Sequence, residues 1–540
     1  MISETQVPEQ EESAEHRETL DAAKTALAAP EPFPWPEPPT KQPGEPFVAD
    51  KTDSIFALVA FALGFFFMRW VFFSWRGWGV SLFTALYCGA VTLYLRQKGV
   101  RMTRAGYFWL TILLLTGISY SLWENNGLEP ARDLFLFLTA VYWVLSATGM
   151  PLLGKTSDWL PLDGLHGLVV IPWRNFGSQY QSLAVLCKNR GTAGKHLASI
   201  GLGLMLGLIV MATVLPLLIK ADSGGFSRIT NDIWRYFQWM QGDITRLFLQ
   251  GLLAIPTAAY LFALVAGCAH RRGSPSFQQD SVQRSVDSLK ILPAATVFTM
   301  LGLLSGLYLV FIGSQLPYFF SAFVGQRPSG WQVYSEYARN GFFELCSIAT
   351  INLAVLAMAN LSSKRTGRDS VALRVLNCLL ALLTLLLIAT AFSKMTLYIK
   401  VYGLSVRRLL PCAFMAFLAV VCGGIVALQR RKLSIMRLAA GVGAVMLCAL
   451  CLLNPDGLVA HYNANRYLSG TLAGFDVEIL HRAGPAGVDA ALLVSDRTSD
   501  ETLRAALDEY LLGQQQATAL SSGQPSDTLQ NALARHQLAK

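Results

Sequence analysis

Charge is what this 540-residue chain has least of: 15% of its residues are Asp, Glu, Lys or Arg, while 53% are hydrophobic. Soluble domains carry about 25% charged residues. The deficit suits a surface that faces lipid, because a charge in hydrocarbon is costly. The formal net charge of +9 does not make the chain a nucleic-acid binder. Its Lys and Arg fall in short loops between apolar runs, and no soluble segment presents a continuous basic face. Metal chemistry lacks its ligands, since the seven His show no zinc spacing. A phosphate loop is incomplete. Gly191-Thr-Ala-Gly-Lys195 has Asn189 where the first Gly belongs and His196 in place of Ser or Thr. No cofactor and no metal is therefore expected. Redox pairing is missing too. Of nine Cys, only Cys187 lies well outside the apolar runs, and Cys448 and Cys451 sit inside one with no second pair. Thiols in such runs behave as small hydrophobes. The start of the chain has neither the basic onset nor the small-residue cleavage site of a signal peptide, so the first span is expected to act as an uncleaved anchor.

What the sequence does have is repeated apolar runs of bilayer length. They lie near 54–73, 78–95, 105–123, 131–151, 197–219, 247–269, 291–313, 342–361, 371–391, 409–428 and 434–453. A helix of about 20 residues crosses the hydrocarbon. The runs are continuous rather than alternating, and a helix satisfies its own backbone in lipid. The fold class is thus all-α, a polytopic transmembrane bundle of about eleven spans over 53–453. Residues 1–52, acidic and then Pro-rich, predict a disordered tail. A shorter apolar piece within 158–182 and the aromatic stretch 226–246 suit interfacial helices. Gly203–Gly207 and Gly302–Gly306 have the spacing of close helix packing. Beyond 453 the composition is that of a soluble helical segment to 512, and 513–540, rich in Gln, Ser and Thr, predicts disorder. In the last of these soluble helices Ser499 can cap, and Leu503, Ala506, Leu507, Tyr510 and Leu511 form an apolar stripe. Loops after even-numbered spans carry 21 Lys and Arg, against 13 after odd-numbered spans. The richer set should be cytoplasmic. The N-terminus is then inside and the C-terminus outside.

Two polar stretches border this apolar body. The first holds Tyr334, Glu336, Tyr337 and Arg339 and leads into a span with Glu344 just inside it. An intramembrane carboxylate can bind a cation or relay a proton. At a helix start it can also simply complement the dipole. Lys394 and Lys400 can anchor at the interface or contact lipid phosphates. The second stretch follows the last span: Asn454 caps, Pro455 opens the helix and Asp456 complements its dipole. Tyr462 shares a helix face with Arg466, and Asn463 shares one with Tyr467. This cluster can hold a lipid headgroup or dock the tail helices onto the membrane domain, and docking is the favoured reading. The two stretches lie four spans apart, on one side of the membrane. They could form a composite site in which Arg466 reaches Glu336 or Glu344 and Arg339 reaches Asp456.

Four blocks carry a family resemblance: Leu307 to Phe323, Tyr334 to Leu345, Met395 to Arg408, and Asn454 to Leu468 followed by Phe475 to Leu493. Together they resemble a family of polytopic bacterial membrane proteins known only as a domain of unknown function, of the DUF4173/DUF4153 type. The resemblance covers roughly 290–495. His461 stands where that family usually has Arg. The resemblance implies a bacterial plasma membrane and a helical C-terminal appendage, and it brings no activity, substrate or cofactor. A multi-pass protein of transport, envelope scaffold or sensor type is expected, with the lipid bilayer, lipid headgroups and other envelope proteins as partners and no nucleic acid. The alternative is a membrane enzyme on lipid-linked or headgroup substrates, with Glu336 or Glu344 as base and Arg339 on phosphate.

Overall fold

The computed structural model describes residues 47–74, 76–152, 156, 159–186, 243–272, 293–323, 342–362, 369–428 and 434–539, with six isolated positions between 203 and 218. Residues 1–48 separate as a unit of their own, and only Phe47 and Val48 of it are described. The expected N-terminal tail thus lies almost wholly outside the described residues. Among those residues there are helices and no strands.

The first helix shows how the chain starts a span. Asp50 and Asp53 exchange backbone and side-chain hydrogen bonds in a capping box, which satisfies donors that a helix start leaves open. Helix α1 then runs over Lys51–Phe66 and ends in a wider turn, Phe67–Phe72. Helices α2 (Trp78–Gln97), α3 (Arg104–Leu122) and α4 (Glu129–Thr148) follow in antiparallel sequence. Gly149, at φ 70°, closes α4 in the left-handed region that glycine tolerates best. The expected interfacial piece folds into three short helices: α5 (Leu160–Leu165), α6 (Ile171–Asn175) and α7 (Ser178–Leu186). The last of them is bonded to the start of α1. Ser54 donates to the Ser182 carbonyl at 2.8 Å, and Gln179 donates to Ala57 at 3.0 Å. Helix α8 (Asp243–Ala269) runs along α1. At their crossing a Cβ on Gly64 would stand 2.7 Å from the Ala254 carbonyl oxygen.

The second half holds α9 (Ala294–Phe323), α10 (Phe342–Ser362), α11 (Asp369–Tyr402), α12 (Val406–Leu428) and α13 (Ile435–Leu452). Leu301, Phe342, Leu356, Leu380, Met415 and Cys422 are among its buried side chains. Inside it Tyr308 donates to Asn352 at 2.6 Å, and Asn352 donates to Thr384 at 2.9 Å. One polar chain thereby ties α9, α10 and α11 together. Helix α13 packs back on α3 and joins the two halves.

Among the described residues ten helices are long and apolar enough to cross a membrane, and each matches an expected run within a few residues, except that α9 and α11 both continue about ten residues past their expected ends. The run expected over 371–391 continues unbroken to Tyr402. No Pro or Gly interrupts it before Gly403, and Lys, Met and Leu sustain a helix. At 34 residues it is about 51 Å long, well beyond the about 30 Å of hydrocarbon. Lys394 and Lys400 therefore stand on a helix, not in a loop. The eleventh expected span, 197–219, lies outside the described residues apart from isolated positions, as does most of 226–246. Among the described residues a Cβ at Gly203, Gly207, Gly302 or Gly306 would meet nothing within 4 Å, so neither GxxxG pair packs closely against them.

The C-terminal module contains α14 (Pro455–Leu468), α15 (Val477–Ala483), α16 (Val488–Ser495), α17 (Glu501–Ser521) and α18 (Leu529–Leu538). Its core gathers Ala460, Ala464, Leu480, Val488, Val494, Leu507 and Tyr510. Asp500, not Ser499, caps α17. The expectation of disorder from 513 onward is not met. Helix α17 continues to Ser521, and α18 follows after a turn, capped by Thr528 and braced by Arg535 on Asp527 at 2.7 Å. The polar composition that suggested disorder serves hydrogen bonds to the bundle instead.

Candidate functional site

The polar groups of the sequence converge where the C-terminal module meets the bundle. Asn454 starts α14 at φ 49°, a left-handed conformation that Asn adopts more readily than most residues. Its side chain accepts from the Gly457 amide at 3.2 Å. Asp456 is buried and accepts from the Gly127 amide at 3.2 Å, in the turn between α3 and α4. Two turns of helix later, Asn463 grips the turn between α11 and α12. It accepts from the Leu404 amide at 2.8 Å and donates to the Leu404 carbonyl at 2.7 Å. This pair of bonds gives a partner to the donor and the acceptor of a buried peptide and to both ends of a buried amide side chain. Arg466 donates to the Ile399 carbonyl at 3.2 Å and to the carbonyl of Thr471 at 2.7 Å. Its guanidinium lies 5.8 Å from the Tyr462 ring centroid, as their spacing of four residues requires.

The turn between α3 and α4 takes the rest of the load. Trp123 donates to Leu452 at 2.9 Å and Asn125 to Cys451 at 2.7 Å, which satisfies carbonyls at the end of α13. Glu124 receives the side chain of Asn531 at 3.0 Å, and its amide donates to Gln530 at 3.2 Å. Arg132 is buried beneath this turn. It donates to the carbonyls of Trp123 and Glu124 at 3.0 and 2.8 Å, with its guanidinium 3.8 Å from the Tyr120 ring centroid. The turn between α1 and α2 makes a third contact. The Trp78 and Gly79 amides donate to Asp527 and Pro525, and the Trp78 indole donates to Gln524 at 2.9 Å. Gly77 has no alternative here, because at φ 76° a Cβ would fall 2.3 Å from the Ser526 carbonyl carbon.

Of the composite site expected from sequence, Tyr334, Glu336, Tyr337 and Arg339 lie outside the described residues. Glu344 stands exposed in the first turn of α10, within electrostatic reach of Lys394. Arg466 makes no bond to Glu344 among the described residues. Its partners are backbone carbonyls and Thr471. Asp456 likewise bonds a backbone amide. Asp456, Asn463 and Arg466 follow one another along α14 and bond backbone groups of the bundle, the kind of contact that docking requires.

A second cluster, at the other end of the same helices, has no counterpart in the sequence reading. Asp53 is fully buried and accepts from Tyr94 at 2.7 Å, with Lys98 at 2.8 Å and the His270 imidazole at 3.1 Å. Lys98 also reaches Asp50 at 2.7 Å. These groups come from the start of α1, the end of α2 and the end of α8. An Asp at a helix start reads as a cap, and nothing local points to a partner 217 positions away. Among the described residues no group of three or more His, Cys, Asp or Glu gathers to hold a metal ion.

The family described as Domain of unknown function (DUF4153) matches residues 110–492. The chain belongs to the DUF4153 family. The match reaches further toward the N-terminus than the four sequence blocks alone. It contains both turns that hold α14, and Asp456, Asn463 and Arg466 with them. Asp53 and Lys98 precede it, and α17 and α18 follow it. Neither a curated protein nor a solved structure matches the chain.

Asp456 supplies a test of the DUF4153 clasp. Burial pushes its carboxyl above the ordinary value of 3.8, partly offset by the Gly127 amide. A raised value in the folded state means that the neutral acid is favoured there. Its stabilising contribution is complete below 3.8 and is lost as pH rises through the raised value. Asp456→Asn stays neutral and keeps an acceptor oxygen for Gly127. The variant should melt above the wild type near pH 8, with the gap closing toward about pH 4. Scanning fluorimetry of solubilised protein measures this, and a gap that widens on acidification would refute it.

Proposed function

We propose that this DUF4153 protein is a non-enzymatic multi-pass membrane protein, a scaffold or sensor of envelope processes that holds a helical module at one face of the membrane. One observation carries the reading. The polar side chains of α14 that could have formed a substrate site, Asp456, Asn463 and Arg466, are engaged by the backbone of the bundle's own turns. Transport gains little support from the interior, where Tyr308, Asn352 and Thr384 bond one another. The enzyme alternative takes Glu336 or Glu344 as base with Arg339 on phosphate, and of these Glu344, exposed at the start of α10, stands within electrostatic reach of Lys394.

Loop charge orients the protein with its N-terminus in the cytoplasm and the module outside a bacterial plasma membrane. Its partners are then the bilayer and other envelope proteins, and no nucleic acid. Photocrosslinkers at the exposed Leu512 and Leu520 of α17 should capture a discrete envelope protein in cells, and the same group at the lipid-facing Leu303 of α9 should not. Reconstituted protein should show no charge displacement on ion or pH jumps. Charge movement would establish transport instead, and headgroup turnover would establish the enzyme.

A further inference from the structure

A cleft of about 670 Å³ opens between α11 and α12. Its size suits a small-molecule ligand, since such sites span about 300–1,000 Å³. Leu385, Ile388 and Phe392 form one wall, while Ala416 and Ala419 leave the facing wall shallow. Both helices are of membrane-spanning character, so the apolar part of the cleft faces acyl chains rather than water. Lys400, in the last turn of α11, closes one end and is exposed. Among the described residues no carboxylate lines the cleft. The preceding cation on the helix, Lys394, is outside the lining and feels Glu344 instead. The Thr396 hydroxyl, between Phe392 and Lys400, bonds back to the Phe392 carbonyl. Among the described residues the cleft therefore runs from hydrocarbon to the positive charge of Lys400, with no acid beside it to receive a headgroup ammonium.

We propose that this cleft binds one anionic phospholipid, with an acyl chain between α11 and α12 and the phosphate on Lys400. Charge complementarity selects the headgroup, and the apolar walls require a chain. A zwitterionic lipid would bring an ammonium group to a site that offers no anion. The site lies in the leaflet on the side of the C-terminal module, because Arg466 binds the Ile399 carbonyl one residue before Lys400.

The full-length protein in detergent can be titrated by native mass spectrometry with phosphatidylglycerol, phosphatidylethanolamine and inorganic phosphate. One phosphatidylglycerol should be retained in preference to the other two. Lys400→Gln should weaken it about five-fold, the share of one cation near a phosphate surface, and Lys400→Arg should restore it. Ala419→Phe fills the cleft and should abolish retention. Lys400 is exposed, so its variants read the site even if the Phe variant fails to fold. The proposal is overturned if Lys400→Gln binds phosphatidylglycerol as the wild type does, or if phosphatidylethanolamine is held equally well. Displacement of the lipid by inorganic phosphate alone would equally overturn it.

Discussion

Deleting residues 522–540 should destabilise the solubilised protein by about 5 kcal/mol, at about 1 kcal/mol for each hydrogen bond to the bundle. The lost bonds are those of the Trp78 amide to Asp527, the Gly79 amide to Pro525 and the Trp78 indole to Gln524, together with the two between Glu124 and Gln530 or Asn531. The deletion also strips Ala534 from the core of the C-terminal module. Composition alone suggests the opposite, that a Gln- and Ser-rich end can be removed freely. Equilibrium unfolding of the truncated and full chains decides between the two. An unchanged midpoint would mean that α18 packs without holding anything.

Asp53→Ala should be comparably damaging, at about 3–5 kcal/mol, the loss expected when one member of a buried ion pair is removed. Asp53 is fully buried, and the side chain of Lys98 retains only 12% of its exposure. Without the carboxylate, the Tyr94 hydroxyl loses its acceptor, and Lys98 keeps only the exposed Asp50. Removing the cation as well should recover part of the loss, because Lys98, mostly shielded from water, is left with an exposed partner in place of the buried one. A double-mutant cycle with Lys98→Met measures that recovery. A loss below about 1 kcal/mol, the range of an exposed pair, would show that water reaches the cluster.

The spans were legible because hydropathy over some twenty residues is a property of a segment and needs no partner. The extension of α11 past residue 391 was missed because its polarity rises while its helix-forming character persists. At α14 the residue types announced a wet junction, and the docking reading of Asn463 holds. Its partner could not be read. Leu404, Ile399 and Gly127 take part through backbone atoms, and a backbone atom leaves no mark in a sequence. The same reason hid the turn between α3 and α4, whose Trp123 and Asn125 bond carbonyls more than 300 positions away. Asp53 was visible only as a helix start.

The grip of Gln524, Asp527 and Asn531 on the turns at Trp78 and Glu124 has a consequence in time. A chain emerges from the ribosome N-terminus first, and domains generally fold as units in that order. Here α1 to α4 are made long before the residues that satisfy their turns. The Trp78 amide and indole wait more than 400 positions of synthesis for their acceptors. These early turns are therefore closed by a helix made far later, and a nascent chain stopped before α18 differs at two turns from one that has passed it. Synthesis past residue 531 is thereby written into the turns of helices made more than 400 positions earlier.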